Sequence, residues 1–71
     1  MGQYQTQWAE RAKALGAMID DGINWTWANG FPTREAAEQF IREFPDMEIR
    51  GVYPDNNPDG SIRSYSVRFR A

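Results

Sequence analysis

The chain has 71 residues, a formal net charge of −2 at pH 7, and no histidine or cysteine. Histidine is the side chain that titrates near neutral pH, and cysteine supplies reactive thiolates and many zinc ligands. The composition therefore excludes thiol catalysis, histidine-dependent triads, disulfides and cysteine-based zinc sites. We predict a protein with no enzymatic activity, catalytic residues, metal or cofactor.

Length and charge also limit the number of domains, the cellular location and the partners expected for the protein. A chain this short is expected to form one domain, residues 1–71. We find no apolar run long enough for a membrane span or a signal peptide. Because its net charge is negative, the protein as a whole is not attracted to nucleic acid or anionic lipid. We therefore expect a cytoplasmic protein, monomeric or homodimeric, that binds no membrane and for which nucleic acid is a disfavoured partner.

The first predicted element is a helix with one apolar stripe. Its apolar residues recur every three or four positions, which is the helical period. Thr6 is the predicted N-cap and Gly22 the predicted stop, while Gly16 is expected only to weaken the helix, by about 1 kcal/mol relative to alanine. The stripe consists of Tyr4, Trp8, Ala12, Leu15 and Ile19.

The apolar period then changes from helical spacing to alternation. Ile23, Trp25 and Trp27 alternate with smaller or polar residues, which predicts a strand with one buried face. The two tryptophans also suit a base-stacking platform on a sheet. Because they share a face with Ile23, we favour a position in the core, under the helices.

A second helix and two strands follow. Thr33 is the predicted N-cap of a helix whose apolar stripe is Ala37, Phe40, Ile41 and Phe44, and Pro45 ends it. One strand contains Met47, Ile49 and Tyr53, with a bulge expected at Gly51. Residues 54–61 are almost purely turn-forming. The last strand contains Tyr65, Val67 and Phe69.

These elements predict an α+β fold: a single small two-layer domain in the order α-β-α-β-β. The first two strands flank a helix, so they are expected to be parallel, and the last two form an antiparallel hairpin. The result is a three-stranded mixed sheet with both helices on one face. The other face is left open to water or to a partner.

The turn between the last two strands partly imitates a calcium-binding loop. Asp55, Asn57 and Asp59 match the first three ligand positions of an EF-hand, and Gly60 matches its glycine. The twelfth position, which needs a bidentate glutamate, is Ser66. We therefore predict a polar turn that does not bind calcium.

Two surface features are candidate binding sites. The first is an acidic end, where the starts of parallel strands would bring carboxylates together to bind a protein partner with a basic surface. It consists of Asp20, Asp21, Glu43, Asp46 and Glu48. The second is the open sheet face, where Arg50, Arg68 and Arg70 are expected beside Thr26, Ser64 and Ser66, with Glu48 as the only acid. Arginines on such a face can contact phosphates or carboxylates.

Small size, acidity, many aromatic residues and the absence of cysteine together resemble proteins that phages and mobile elements encode to block host machinery. Anti-CRISPR proteins are one such group. The resemblance is one of type, so no motif residue is carried over from it. It implies a protein-binding inhibitor that covers a basic surface of a host protein, for example one that normally holds nucleic acid. The alternative is a weak single-stranded nucleic-acid-binding domain that uses the arginine face.

Overall fold

The computed structural model describes the backbone of residues 2–70 and the side chains of residues 7–70. Within this part of the chain there are two helices and one four-stranded antiparallel sheet, which confirms the α+β class. The elements in chain order are α1 (Gly2–Ala14), β1 (Met18–Asp21), β2 (Thr26–Phe31), α2 (Arg34–Glu43), β3 (Glu48–Asn56) and β4 (Ile62–Arg70).

The first helix is shorter at its C-terminal end than the apolar stripe predicts. Ala17 N donates to Ala12 O at 2.7 Å, and Gly16 N donates to Lys13 O at 3.0 Å. These two bonds, with Gly16 at φ 98°, form the Schellman motif that ends a helix. Gly16 is therefore the stop, and the stop predicted at Gly22 is wrong. The N-cap predicted at Thr6 is also wrong, since the helix begins at Gly2, and Tyr4 lies outside the described side chains.

The residues that follow the helix end, which were predicted to be helical, form an additional strand. Met18–Asp21 pairs antiparallel with the beginning and middle of β2, from Met18 opposite Asn29 to Asp21 opposite Thr26. Gly22 N donates to Trp25 O at 2.9 Å and closes the connecting turn. Ile23 lies in this turn and is 99% exposed, so its predicted place on a buried strand face is wrong.

The strand order is β1-β2-β4-β3, and every pair of neighbours is antiparallel. The predicted three-stranded mixed sheet is therefore corrected to a four-stranded antiparallel one. The strands that flank α2, β2 and β3, do run in the same direction, because both are antiparallel to β4. They are not paired with each other, since β4 lies between them and takes the hydrogen bonds of both.

Both helices pack on the same face of the sheet, as predicted. The Phe69 ring on β4 lies 5.3 Å from the Trp8 ring of α1 and 5.5 Å from the Phe40 ring of α2, measured between centroids. Phe31 at the end of β2 joins them, 5.5 Å from Phe40. Phe31, Phe40 and Phe69 are fully buried, so this aromatic cluster is the centre of the core.

The second helix begins and ends where the sequence predicts. Thr33 has an extended backbone, and its Oγ1 accepts a hydrogen bond from Ala36 N at 3.0 Å. This bond satisfies one of the amide groups that a helix N-terminus leaves without an intrahelical partner. The helix ends at Glu43, one residue before its cap Phe44 and two before Pro45.

Two bulges set which side chains face the helices. The register shifts between Asn29 and Phe31, where Gly30 takes a φ of 101°, and this turns Phe31 into the core. A second shift between Ile49 and Gly51 confirms the predicted bulge. It reverses the alternation along β3, so that Tyr53 lies on the open face, away from the side of Ile49.

Candidate functional site

The two tryptophans of the predicted strand lie on the open face, which corrects their predicted core position. Trp27 pairs with Arg68 across the sheet, whereas its neighbour Ala28 is fully buried and pairs with Val67. Residues directly opposite each other on neighbouring strands share a face. The side of β2 that faces the helices is therefore the side of Ala28, and Thr26, opposite Phe69, is on it too. The open-face position predicted for Thr26 is wrong.

Aromatic rings and guanidinium groups alternate across this open face. We define the tryptophan–arginine strip as Trp25, Trp27, Tyr53, Arg50, Arg68 and Arg70. The sequence predicted that the three arginines share the open face, and the structure places them there. The aromatic rings that were expected in the core lie between the arginines.

One indole ring lies at the centre of the three guanidinium groups. The Cζ atoms of Arg70, Arg50 and Arg68 lie 4.6, 5.6 and 5.9 Å from the centroid of the Trp25 ring. All three distances are within the range of a cation–π interaction. Attraction to one ring therefore holds together three cations that would otherwise repel each other.

Arg68 also links this cluster to the rest of the strip. Its Cζ lies 5.2 Å from the centroid of the Trp27 ring, and the Trp27 ring lies 5.7 Å from that of Tyr53. Arg68 Nε is buried and has no hydrogen-bond partner among the described residues. A buried donor without a partner costs about 1–3 kcal/mol, so such a group calls for an explanation.

The strip contains one ion pair with an acidic neighbour. Arg70 Nε donates to Glu48 Oε1 at 2.9 Å, and Glu48 pairs with Arg70 in the sheet register. Both side chains are about half exposed, so the pair itself stabilises the fold by at most about 1 kcal/mol. Three guanidinium groups and one carboxylate leave this region with an excess of positive charge.

The part of the open face beyond the strip is polar and of mixed charge. It contains a cavity of about 550 Å³, lined in part by Asp20, Asn29, Asp55, Arg63 and Ser64. Asp55 Oδ2 accepts a hydrogen bond from Ser66 Oγ at 2.6 Å, and Ser66 is only 1% exposed. Asp20 lies opposite Trp27, so its carboxylate borders the strip.

The five residues of the predicted acidic end lie at one end of the sheet but do not form one patch. Asp20 and Asp21 are on β1, which is three strand spacings, about 14 Å, from β3 with its Glu48. Asp20 pairs with Trp27 on the open face, whereas Asp21 pairs with Thr26 on the helix side. Asp46 is exposed in the connection between α2 and β3.

Glu43, the fifth residue of that set, forms an ion pair with a side chain of the first helix. Arg11 donates to it through both Nε and Nη2, the latter at 2.7 Å from Glu43 Oε2. Gln39 Nε2 donates to the same oxygen at 2.9 Å. The hydrogen bonds from Arg11 and Gln39, in that order, lower the pKa of Glu43 to about 2. Glu43 thus joins α1 to α2, and its carboxylate is already paired.

The loop that imitates a calcium site forms hydrogen bonds within itself. Ser61 donates to Asp59 Oδ1 from its backbone N at 3.0 Å and from its hydroxyl at 2.6 Å. Asn57 N donates to Ser61 O at 2.7 Å, which closes the turn. Among the described residues, no group of three or more carboxylates is arranged to hold a metal ion. The absence of calcium binding stays a prediction.

Comparisons with protein-family models, with curated proteins and with solved structures found no match. No helix in the described part of the chain is both long enough and apolar enough to cross a membrane.

Proposed function

We propose that this chain is a non-enzymatic protein-binding module and that the tryptophan–arginine strip is its binding surface. The carrying observation is the convergence of Arg50, Arg68 and Arg70 around the ring of Trp25. Tryptophan, tyrosine and arginine are the residues that most often dominate the binding energy of protein interfaces. Here they lie on a sheet that also carries the core, so little ordering is needed when a partner binds.

The strip supports this role better than the acidic end does. Glu43 is in an ion pair with Arg11, and Glu48 is in one with Arg70. Asp20, Asp21 and Asp46 are spread over two faces and the α2–β3 connection. Exposed carboxylates contribute little affinity by themselves, because aromatic and arginine residues usually dominate the energy of an interface. The acidic end as a surface for a basic partner stays a prediction, and it is the competing hypothesis in the experiment below.

Charge complementarity specifies the partner of the strip. Guanidinium groups form strong bidentate hydrogen bonds with carboxylates and phosphates. The partner segment is therefore expected to be acidic, with apolar groups that cover Trp27 and Tyr53. We further propose that binding inhibits the partner, as in the small phage-type proteins that the composition resembles, and that this takes place in the cytoplasm.

The second candidate function is single-stranded nucleic-acid binding by the same surface. The mixture of aromatic rings and arginines on a sheet favours it. Two observations weigh against it. The guanidinium groups already lie against Trp25, where a base would have to stack, and Asp20 and Asp55 place two carboxylates on the same face, with Arg63 beside them.

The experiment compares variants that have the same net charge. Arg50→Gln with Arg70→Gln alters the strip, while Arg34→Gln with Arg42→Gln removes two arginines from α2, on the other side of the sheet. A tagged wild-type chain identifies partners by mass spectrometry, and one purified partner is then titrated by calorimetry. The strip variant should lose binding and the helix variant should keep it.

Three further outcomes separate the hypotheses. If the strip variant binds the purified partner as tightly as the wild type, the proposed surface is wrong. If binding is instead lost when Asp20, Asp21 and Asp46 are replaced by asparagine, the acidic end is the working surface. If the wild type binds a thymidine oligonucleotide with a steep salt dependence and the strip variant does not, the nucleic-acid function replaces the proposal.

A further inference from the structure

We propose that Arg50, Arg68 and Arg70 form a recognition site for the phosphate group of a phosphorylated side chain. This inference rests on the proposed function, because it specifies the chemistry of the segment that the strip binds. Clusters of arginine residues are a general means of recognising phosphorylated segments of proteins. The charge, the available donors and the rigidity of the arginine cluster all suit such a group.

The charge at the cluster suits a doubly charged ligand. Three guanidinium groups lie within 6 Å of the Trp25 centroid, and Glu48 is the only carboxylate bonded to them in the described residues. Counting these groups alone, the excess is two positive charges, and the carboxylate of Asp20 lies one strand away, opposite Trp27. A phosphate monoester carries about −1.5 to −2 at pH 7, whereas one carboxylate carries a single negative charge. The monoester is the better match.

The cluster also has donors that the protein does not use. Arg68 Nε is buried without a hydrogen-bond partner in the described part of the chain, a state that costs free energy and that a shift of the guanidinium group towards a ligand oxygen would relieve. Arg50 is exposed on the bulge of β3, and within the strip it contacts the ring of Trp25. A phosphate offers three acceptor oxygens, enough for both arginines and for Arg70.

Trp25 and Glu48 hold the cluster in place before a ligand arrives. The indole ring attracts all three guanidinium groups, and Glu48 fixes Arg70 at 2.9 Å. Arginine side chains have many rotamers, and restricting them on binding normally reduces affinity. A cluster that is already ordered avoids much of that loss.

A phosphodiester strand fits this surface less well than a single phosphate monoester does. Each diester carries one negative charge, and a strand extends over several nucleotides. Along the open face, such a strand would meet the carboxylates of Asp20 and Asp55, with the single cation Arg63 beside them, so this region attracts it less than the arginine cluster does. A phosphorylated side chain concentrates its negative charge at one point. The arginine cluster concentrates its positive charge in the same way, so the two match.

The first experiment uses three small probes that share one aromatic ring: phenyl phosphate, its methyl diester and benzoate. Binding is followed by NMR through the Trp25 indole N–H and the Arg68 Nε–H signals of the intact chain. Phenyl phosphate should shift both signals saturably. The diester and benzoate should bind at least about tenfold more weakly, as expected when a charge-assisted hydrogen bond is lost. Equal binding of the three probes would overturn the proposal.

The variants assign the effect to named side chains. Arg68→Lys keeps the charge but removes the planar donor group, and it should weaken phenyl phosphate binding about tenfold. Arg50→Gln tests an exposed residue whose replacement leaves the core untouched. Arg34→Gln on α2 is the control and should bind as the wild type does. If Arg34→Gln weakens binding as much as Arg50→Gln does, the probe responds to overall charge and the site is refuted.

The last arm separates this inference from the proposed function. The partner captured by the strip is treated with phosphatase before it is titrated again. Loss of binding after the treatment supports phosphate recognition. Unchanged binding that still needs Arg50 and Arg70 overturns the phosphate site but leaves the strip as a protein-binding surface. Unchanged binding that does not need them refutes both.

Discussion

Arg70 lies with its Cζ 4.6 Å from the centre of the Trp25 ring while its Nε donates to Glu48 at 2.9 Å. One side chain of β4 thus connects the residue before β2 to the first residue of β3. A guanidinium group can do both because its flat face meets the ring and its edge carries the donors. The exposed end of the sheet is ordered by this contact without a helix covering it.

Glu48 both positions Arg70 and competes with an anionic ligand for it; we expect the competition to dominate, so removal of Glu48 should strengthen binding at the strip. We predict that Glu48→Gln tightens phenyl phosphate binding a few-fold, because it frees one donor and removes a like charge. Glu38→Gln on α2 is the matched control and should have no effect. NMR titration of the Trp25 indole signal measures both. Weaker binding in Glu48→Gln would show that the ion pair is needed to position Arg70.

The core and the strip should differ in their contribution to stability. Phe40 is fully buried and contacts Phe31, Phe44 and Phe69. Phe40→Ala should therefore cost about 3–5 kcal/mol. Trp27→Ala should cost less, because this larger ring is only partly buried on the open face. Urea denaturation of both variants measures the difference. An equal loss would mean that the strip is a second core.

Gly16 should tolerate substitution less well than another glycine with a similar backbone. Gly16 and Gly60 both have positive φ, 98° and 92°, where an L-residue costs about 1–2 kcal/mol. A Cβ at Gly16 would also lie 2.9 Å from Pro32 Cδ, whereas one at Gly60 meets nothing within 4 Å. Gly16→Ala should thus be more destabilising than Gly60→Ala. Thermal denaturation of the pair tests this, and the opposite order would contradict the described helix end.

The ion pair between the two helices should make stability depend on pH in the acid range. Its hydrogen bonds from Arg11 lower the pKa of Glu43 from 4.5 to about 2. A carboxylate with a lowered pKa stabilises the folded state fully above its unfolded value, and this stability is lost as the pH falls from about 4.5 to 2. The thermal midpoint of Glu43→Gln should lie below that of the wild type at pH 7.

The difference in midpoint should shrink steadily below pH 4.5 and be largely lost as the pH falls through about 2. Glu38→Gln controls for the loss of one carboxylate from the same helix. A difference that stays constant from pH 7 to pH 2 would mean that the Arg11–Glu43 pair does not contribute to the stability of the folded chain.

The turn after β3 should not bind calcium with useful affinity. Its Asp59 carboxylate accepts two hydrogen bonds from Ser61, and the glutamate of a calcium loop is replaced by Ser66 on β4. Calorimetric titration with calcium should give no heat beyond dilution. A micromolar site would contradict both the loop assignment and the described geometry.

Several elements could be predicted because local chemistry decides them. Thr33 caps α2 and Pro45 limits it, since capping and the proline ring act within a few residues. The Asn57–Ser61 turn follows in the same way from its composition. Gly16 carried an equally local signal, the glycine that ends a helix, but the apolar stripe continued past it to Ile19 and was given more weight.

The sequence by itself determined the two helices, the strands β2, β3 and β4, the core positions of Phe40, Phe44 and Phe69, and the absence of histidine and cysteine chemistry. Strand β1 and the core position of Phe31 came from the tertiary structure. The tertiary structure decided which face of β2 meets the helices. Alternation separates Trp25 and Trp27 from Ala28 but does not show which set is buried. Pairing with β4 settles this, because Ala28 lies opposite Val67 while Trp27 lies opposite Arg68. The small residue leaves room for the helices, and the large rings pack with the arginines on the open face.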